Sequence, residues 1–231
     1  MLLRPDVIFF DYGNTLVKDT EDWFGDISRY LAPLGMELTE DRFRIGKAAA
    51  EHYAGSYRQK NGTRTRLEDR FWFNYCKAFL EAAFGDGAGR LAEEMHAVQF
   101  FTNEIYPDTH AVLRELRRRG YRLGVISNWE APTLPSLFER FQLTQYFEKI
   151  LPSRDAEASK PDPLIFHKAM SALAVKPEDA VHVGDSFPCD VEGAQGVGIT
   201  PVWLNEKGGA APDGSSVLQI RNLSGLLSLL A

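Results

Sequence analysis

The sequence predicts an α/β fold in which a parallel sheet carries helices on both faces and a helical segment is inserted after the first strand. Residues 7–10 form a short apolar run, as expected for a fully buried strand. Between residues 20 and 104 only helical patterns occur, and after Pro107 strand-like runs alternate with helical ones. The lone first strand needs partners, which favours one α/β domain with an insert over two tandem domains.

The alternating part contains the remaining strands of the predicted sheet. Short apolar runs predict strands at 122–126, 149–151, 180–183 and 200–204, the last of which is expected to end the sheet. Amphipathic patterns between them predict helices that begin after Pro107, at 135–141 and at 163–173, and a short helix that ends at Val197. In the insert, helices are expected at 23–34, 41–57, 67–84 and 89–101, separated by breaks rich in Gly.

The composition excludes several classes of protein. The 231 residues are 44% hydrophobic and 25% charged with a formal net charge of −6, which is globular and argues against nucleic acid as the main partner. Cys76 and Cys189 lie far apart without zinc-ligand spacing, so neither a disulfide framework nor a zinc site is expected. The four-residue apolar run near the start is too short for a signal peptide or a membrane span, which predicts a cytoplasmic protein without a membrane partner.

Polar side chains follow the predicted strands at their carboxyl ends, where parallel sheets bind ligands. These residues are Asp11, Ser127, Asn128, Lys160, Asp185 and Asp190. Three carboxylates in one crevice repel each other unless a cation lies among them. Carboxylates without His or Cys suit Mg²⁺, which keeps further positions for water and phosphate. Lys160, Ser127 and backbone N–H groups are suited to hold phosphate oxygens.

Four segments contain these residues, at the ends of predicted strands. They are Asp11-Tyr-Gly-Asn-Thr-Leu16, Gly124-Val-Ile-Ser-Asn128, Lys160-Pro-Asp-Pro-Leu-Ile-Phe166 and Val183-Gly-Asp-Ser-Phe-Pro-Cys-Asp-Val-Glu-Gly-Ala194. In this order they resemble the motifs of the haloacid dehalogenase-like (HAD) hydrolase superfamily. The resemblance implies a Rossmann-like core from residues 1–18 and 105–231, and an α-helical cap from residues 19–104, as in phosphoglycolate phosphatase-like members.

The resemblance also implies an activity, that of a Mg²⁺-dependent phosphohydrolase acting on a small phosphorylated metabolite. The implied catalytic residues are Asp11, the nucleophile that forms an aspartyl-phosphate, Ser127, which holds phosphoryl oxygens, and Lys160, which neutralises charge. The implied phosphate-binding residues are Asp11, Tyr12, Gly13, Ser127, Asn128 and Lys160. The implied metal ligands are Asp11, the Gly13 carbonyl, Asp185 and, through water, Asp190.

One position departs from the family's pattern. The family's phosphatases carry a second Asp two residues after the nucleophile, as general acid and base, and Gly13 stands there in this chain. The metal link needs only a main-chain carbonyl, whereas loss of proton transfer to the leaving group would cost roughly 10²–10⁴-fold in rate. Asn14 replaces the usual Gly, and because Asn tolerates positive φ, the loop is expected to form.

The missing Asp leaves three other interpretations open. Haloacid dehalogenases also lack it and attack carbon without Mg²⁺, but their fourth motif lacks the carboxylates that Asp185 and Asp190 supply. Phosphonoacetaldehyde hydrolases have a small residue there and a Schiff-base lysine from the cap, for which Lys47 and Lys60 are available, although cap lysines are usually solvated. A non-catalytic binding protein of the same fold would not need the matching charged groups.

Other residues have simpler interpretations. His182, inside a predicted strand, is expected to be a packed or hydrogen-bonded core histidine. A basic run in the insert is expected to be a solvated helix face, and the alternative is a contact with a substrate anion. Its members are Arg58, Lys60, Arg64, Arg66 and Arg70. For the assembly we expect a monomer or a homodimer.

Overall fold

The computed structural model describes residues 2–20, 23–61, 70–98, 102–129, 134–212 and 214–231. The strands are β1 (Val7–Phe10), β2 (Val17–Thr20), β3 (Thr102–Ile105), β4 (Arg122–Ser127), β5 (Lys149–Pro152), β6 (Ala180–Gly184), β7 (Thr200–Leu204) and β8 (Leu218–Ile220). The α-helices are α1 (Trp23–Leu31), α2 (Glu40–Asn61), α3 (Phe71–Phe84), α4 (Ala92–Val98), α5 (Thr109–Arg118), α6 (Leu134–Arg140), α7 (Ser153–Ala156), α8 (Pro163–Leu173) and α9 (Gly193–Gly196). Within these residues, every helix is too short or too polar to cross a membrane.

The main sheet has six strands in the order β5-β4-β1-β6-β7-β8, and all of its pairs are parallel. The chain moves outward from β1 through β4 to β5, then returns to β6 and moves outward to β8. The strand order therefore reverses beside β1, and such a reversal opens a ligand crevice at the carboxyl ends of the strands. Asp11 follows β1 and Asp185 follows β6, so both lie at the mouth of this crevice.

Helices cover both faces of the sheet, as predicted. Side chains of β1 alternate between the faces. Phe9 packs in one apolar cluster with Phe166 of α8, and Ile8 packs in the other with Leu113 of α5. The predicted doubly covered parallel sheet is confirmed, and the first strand is buried from both sides.

The sheet extends one strand further than predicted. The prediction that the strand at 200–204 ends the sheet was wrong, because β8 pairs in parallel with β7. β8 has three residues, of which only Ile220 is buried. A run this short has too little apolar pattern to stand out from the polar segment before it.

The chain divides into two compact units. One unit contains the main sheet and consists of Met1–Asp19, Asn103–Trp129 and Leu134–Ala231. The other unit consists of Thr20–Thr102. The absence of strands predicted for residues 20–104 was wrong at both ends, because β2 and β3 form a two-stranded sheet. Both strands are short and largely polar, so neither has the apolar run of a buried strand.

Apart from Thr20 of β2 and Thr102 of β3, the described residues of the second unit form helices and their connections, as predicted. The helices predicted at 23–34, 41–57, 67–84 and 89–101 correspond to α1 to α4 with adjoining 3₁₀ segments, although residues 67–69 and 99–101 lie outside the described residues. Helices α2 and α3 approach closely, because a Cβ at Gly46 would lie 2.8 Å from the ring of Phe79. Apolar side chains from all four helices share one core. They include Ile27, Leu31, Ala50, Phe79, Leu80 and Met95.

Charged side chains of this unit have ordinary surface contacts where they are described. The guanidinium of Arg70 lies over the ring of Phe73 at 4.3 Å from its centroid, and Lys60 is exposed. Lys47 forms an exposed pair with Glu51 at 3.8 Å. Arg64, Arg66 and the side chain of Arg58 lie outside the described residues. The described contacts agree with a solvated helix face.

The close packing of β1 against β4 predicts a specific sensitivity. A Cβ at Gly124 would lie 2.7 Å from the Phe9 ring, which is buried and cannot move aside cheaply. We expect Gly124→Ala to lower the free energy of unfolding by about 1–3 kcal/mol, measured by urea denaturation. Gly196→Ala is the control, because a Cβ there meets no atom within 4 Å. Equal stability of the two variants would contradict the prediction.

Candidate active site

The loop after β1 presents Asp11 at the crevice. The Asp11 N–H donates to the Val183 carbonyl at 2.8 Å, which continues the β1–β6 pairing into the site. The Tyr12 carbonyl then accepts a hydrogen bond from the Leu16 N–H at 2.9 Å, which closes a tight turn. Asn14 has a φ of 51° in the left-handed region, so the loop forms with Asn where the family pattern has Gly.

The side chain of Tyr12 belongs to the core. Its ring is fully buried, stacks on Phe138 with 5.2 Å between the centroids and meets Trp129 edge-on at 5.5 Å. The backbone of Tyr12 gives the Asp11 carboxylate a hydrogen bond. A contact of Tyr12 with phosphate, as the sequence analysis expects, would therefore come from its backbone, and it stays a prediction.

Lys160 places a buried positive charge beside two carboxylates. Its Nζ lies 2.6 Å from Oδ1 of Asp11 and 2.6 Å from Oδ1 of Asp190. The Lys160 residue is 4% exposed, so its ammonium has exchanged water for these partners. Burial alone would lower the pKa of Lys160, but the charges of Asp11 and Asp190 raise it above its usual range. The ammonium is therefore the fixed countercharge of the site.

Asn128 fixes the backbone of Lys160. Its Oδ1 accepts a hydrogen bond from the Lys160 N–H at 2.7 Å, and its Nδ2 donates to the Lys160 carbonyl at 2.9 Å. Binding of phosphate by Asn128 stays a prediction, while the described contacts of its amide are the two to Lys160 and one from Nδ2 to Sγ of Cys189 at 3.9 Å. Ser127 is buried at the end of β4, the strand next to β1, so it lies at the same edge of the sheet as Asp11.

Asp190 is held by three donors. Its Oδ1 lies 2.6 Å from Lys160 Nζ and 2.9 Å from Nε2 of His182, and its Oδ2 accepts from the Ser186 N–H at 3.0 Å. Although burial raises the pKa of Asp190, the Lys160 charge and the His182 hydrogen bond lower it below its usual range. A Cβ at Gly184 would lie 2.2 Å from Cγ of Asp190, so glycine makes room for this carboxylate.

His182 is thus a hydrogen-bonded core histidine, as expected, but its partner is a site residue. The sequence contains one usable signal for this contact, since Gly184 and Asp185 mark the strand end at which the Asp190 turn begins. Nothing in the sequence alone shows that the side chain of Asp190 turns back toward His182.

Asp11, Asp185 and Asp190 form an acidic group. Each offers one carboxylate oxygen, and these atoms lie within 4.8 Å of one another. Burial, with the negative charges of Asp11 and Asp190, raises the pKa of Asp185 to about 7. The three carboxylates exceed the single charge of Lys160, and this all-oxygen set has the chemistry that Mg²⁺ prefers. The residues present therefore fit a divalent cation.

Comparisons with known proteins identify a family and two similar proteins. The family model for haloacid dehalogenase-like hydrolases matches residues 5–198. Haloacid dehalogenase-like hydrolase domain-containing protein 3 of Mus musculus is 36% identical over 209 residues, which cover 85% of this chain and 80% of that protein. A glyceraldehyde 3-phosphate phosphatase of Pyrococcus furiosus is 34% identical over 206 residues, covering 87% of this chain and 81% of that protein.

A solved structure gives the same fold. The 2-haloacid dehalogenase of Pseudomonas syringae pv. Tomato DC3000 has a TM-score of 0.74 to this chain at 24% identity, with 97% of each chain covered. Sequence identity at this level supports the same fold but does not show the same reaction, which has to be inferred from the residues of the site. With the family match over residues 5–198, this chain belongs to the haloacid dehalogenase-like hydrolases.

Proposed function

We propose that this hydrolase is a Mg²⁺-dependent phosphatase that acts on a small phosphorylated metabolite through an aspartyl-phosphate on Asp11. The observation that carries the proposal is the group of three carboxylates in one crevice, two of which pair with the Lys160 ammonium. Such a crevice repels a phosphate ester until a divalent cation balances the carboxylates. The relative named as a glyceraldehyde 3-phosphate phosphatase supports a phosphate ester as the substrate class.

Asp11, Asp185 and the Gly13 carbonyl would hold the metal directly, and Asp190 would do so through water. When bound, Mg²⁺ would supply the positive charge that attracts a phosphate ester and stabilises charge developing in the transition state. Asp190 already accepts hydrogen bonds at both carboxylate oxygens, which favours the indirect contact.

The chain's own residues would perform the bond changes. A carboxylate oxygen of Asp11 forms a bond to phosphorus as the ester P–O bond breaks, and the leaving group departs as an alkoxide or phenolate that takes its proton from solvent. Water then attacks phosphorus, releases inorganic phosphate and restores Asp11. Burial and the Asp190 charge raise the pKa of Asp11, and the Lys160 ammonium opposes this shift and favours the ionised, nucleophilic carboxylate. Ser127 binds a phosphoryl oxygen.

The metal and the nucleophile give the first prediction. We expect wild-type protein to hydrolyse p-nitrophenyl phosphate with Mg²⁺, Asp11→Asn to abolish turnover, and Asp185→Asn to raise the Mg²⁺ concentration needed for half-maximal rate. Mg²⁺ should also raise the thermal midpoint of the wild type by mass action, because it binds the folded state.

Asp155→Asn is the matched control, since this exposed carboxylate of α7 lies outside the acidic group. It should leave turnover and the Mg²⁺ requirement unchanged. Full activity in a chelator would contradict the proposal, and chloride release from 2-chloropropionate under the same conditions would favour dehalogenation.

Gly13 gives a second prediction, on the leaving group. An alkyl phosphate needs its departing oxygen protonated, whereas a phenolate or an acyl anion leaves with little help. Gly13 provides no acid, so the wild type should favour aryl and acyl phosphates over alkyl phosphates. Gly13→Asp should raise kcat/KM for an alkyl phosphate by up to about 10²-fold, with a smaller effect on the aryl substrate.

Gly13→Asn is the matched control, because it adds a side chain of the same shape without an acidic proton. The ratio of aryl to alkyl kcat/KM should fall only in the Asp variant. Equal wild-type rates on both substrates, with no gain in Gly13→Asp, would show that another group already protonates the leaving oxygen.

A further inference from the structure

His182 lies directly before the fourth motif segment, which begins at Val183, and the motifs assign it no role. It is a fully buried member of β6, opposite Phe9 of β1, and its ring meets Phe166 edge-on with 5.4 Å between the centroids. His182 and Gly184 point to the same face of the strand, because side chains alternate. The space left by the missing Gly184 side chain is the space that Asp190 occupies. The strand thereby brings the imidazole and the carboxylate together.

A continuous chain of polar contacts runs from His182 to Asp11. The imidazole Nε2 lies 2.9 Å from Oδ1 of Asp190, and the same oxygen lies 2.6 Å from Nζ of Lys160. Nζ is in turn 2.6 Å from Oδ1 of Asp11. Among the described hydrogen bonds His182 reaches neither Lys160 nor Asp11, so its influence on them passes through Asp190.

The contact with Asp190 assigns the hydrogen-bond donor of His182. The ionised Asp190 carboxylate only accepts, so Nε2 carries the proton. Nδ1 is buried and has no hydrogen-bond partner among the described residues. The imidazole has one productive orientation in this site, because a ring flip would lose the bond to Asp190.

We propose that His182 is a positioning residue that fixes the Asp190 carboxylate and thereby holds the Lys160 ammonium against Asp11. Ser186 fixes one oxygen of Asp190 from the backbone, and His182 fixes the other. Without His182, the second oxygen keeps only the Lys160 ammonium as a described partner. The proposal rests on the proposed function in one respect, which is that Asp11 is the nucleophile that Lys160 serves.

Two variants separate the hydrogen bond from the volume of the ring. His182→Gln places an amide N–H near the Nε2 position, and His182→Phe keeps a ring without a donor. With Mg²⁺ and p-nitrophenyl phosphate, we expect His182→Phe to lower kcat by about 10–100-fold with little change in KM, and His182→Gln to restore most of the loss. His110→Gln and His110→Phe are the control pair, since this partly buried histidine bonds the Tyr146 hydroxyl at 3.1 Å, outside the site.

A second measurement follows Lys160 without turnover. In ¹⁵N-lysine-labelled protein, the Lys160 ammonium, identified by its loss in Lys160→Met, should give a slowly exchanging signal in the wild type and in His182→Gln. His182→Asn, whose amide is too short to reach Asp190, should shift this signal and speed its exchange. This reading remains available if His182→Phe does not fold.

Each result decides the proposal. Equal kcat in folded His182→Phe and His182→Gln, or an unchanged Lys160 signal in His182→Asn, would overturn it. A wild type that hydrolyses no phosphate ester would instead overturn the proposed function, while the Lys160 signal still decides whether His182 positions the ammonium.

Discussion

The buried ammonium of Lys160 lies 2.6 Å from carboxylate oxygens of both Asp11 and Asp190, and the site is organised around this contact. Asn128 holds the peptide group of Lys160 from the end of β4, and His182 orients Asp190 from β6. The three central strands thus converge on one charge. Taking that charge out of water costs free energy, and the two carboxylates offset this cost inside the protein.

Lys160 pairs with Asp11 and Asp190, and no ion pair of Asp185 is found among the described residues. Its pKa is raised to about 7 by burial and by the nearby carboxylates, so a divalent ion would relieve a cost that the fold imposes. The lack of a side chain at Gly13 affects the leaving group and not the metal or the countercharge. The loop keeps its turn, with Asn14 at a φ of 51°, although the acidic side chain of the family pattern is missing.

The sequence predicts the parts that depend on local pattern. Strand ends carry the polar residues, so the sheet and the acidic group follow from apolar runs and motif spacing. The sequence does not predict β8 or the β2–β3 pair, because these strands are short and mostly polar. The Asn128 contacts and the His182–Asp190 bond are not predicted for another reason, since they depend on how side chains turn after segments distant in sequence have packed.

A double-mutant cycle between Lys160 and Asp190 tests the countercharge most directly, with the free energy of unfolding measured in a chelator. Lys160→Met should cost about 3–5 kcal/mol, because it leaves buried carboxylates unpaired. Adding Asp190→Asn to Lys160→Met should restore part of the lost free energy of unfolding. The double variant should therefore lose less stability than the sum of the losses in the two single variants. Strict additivity of the two losses would contradict the account.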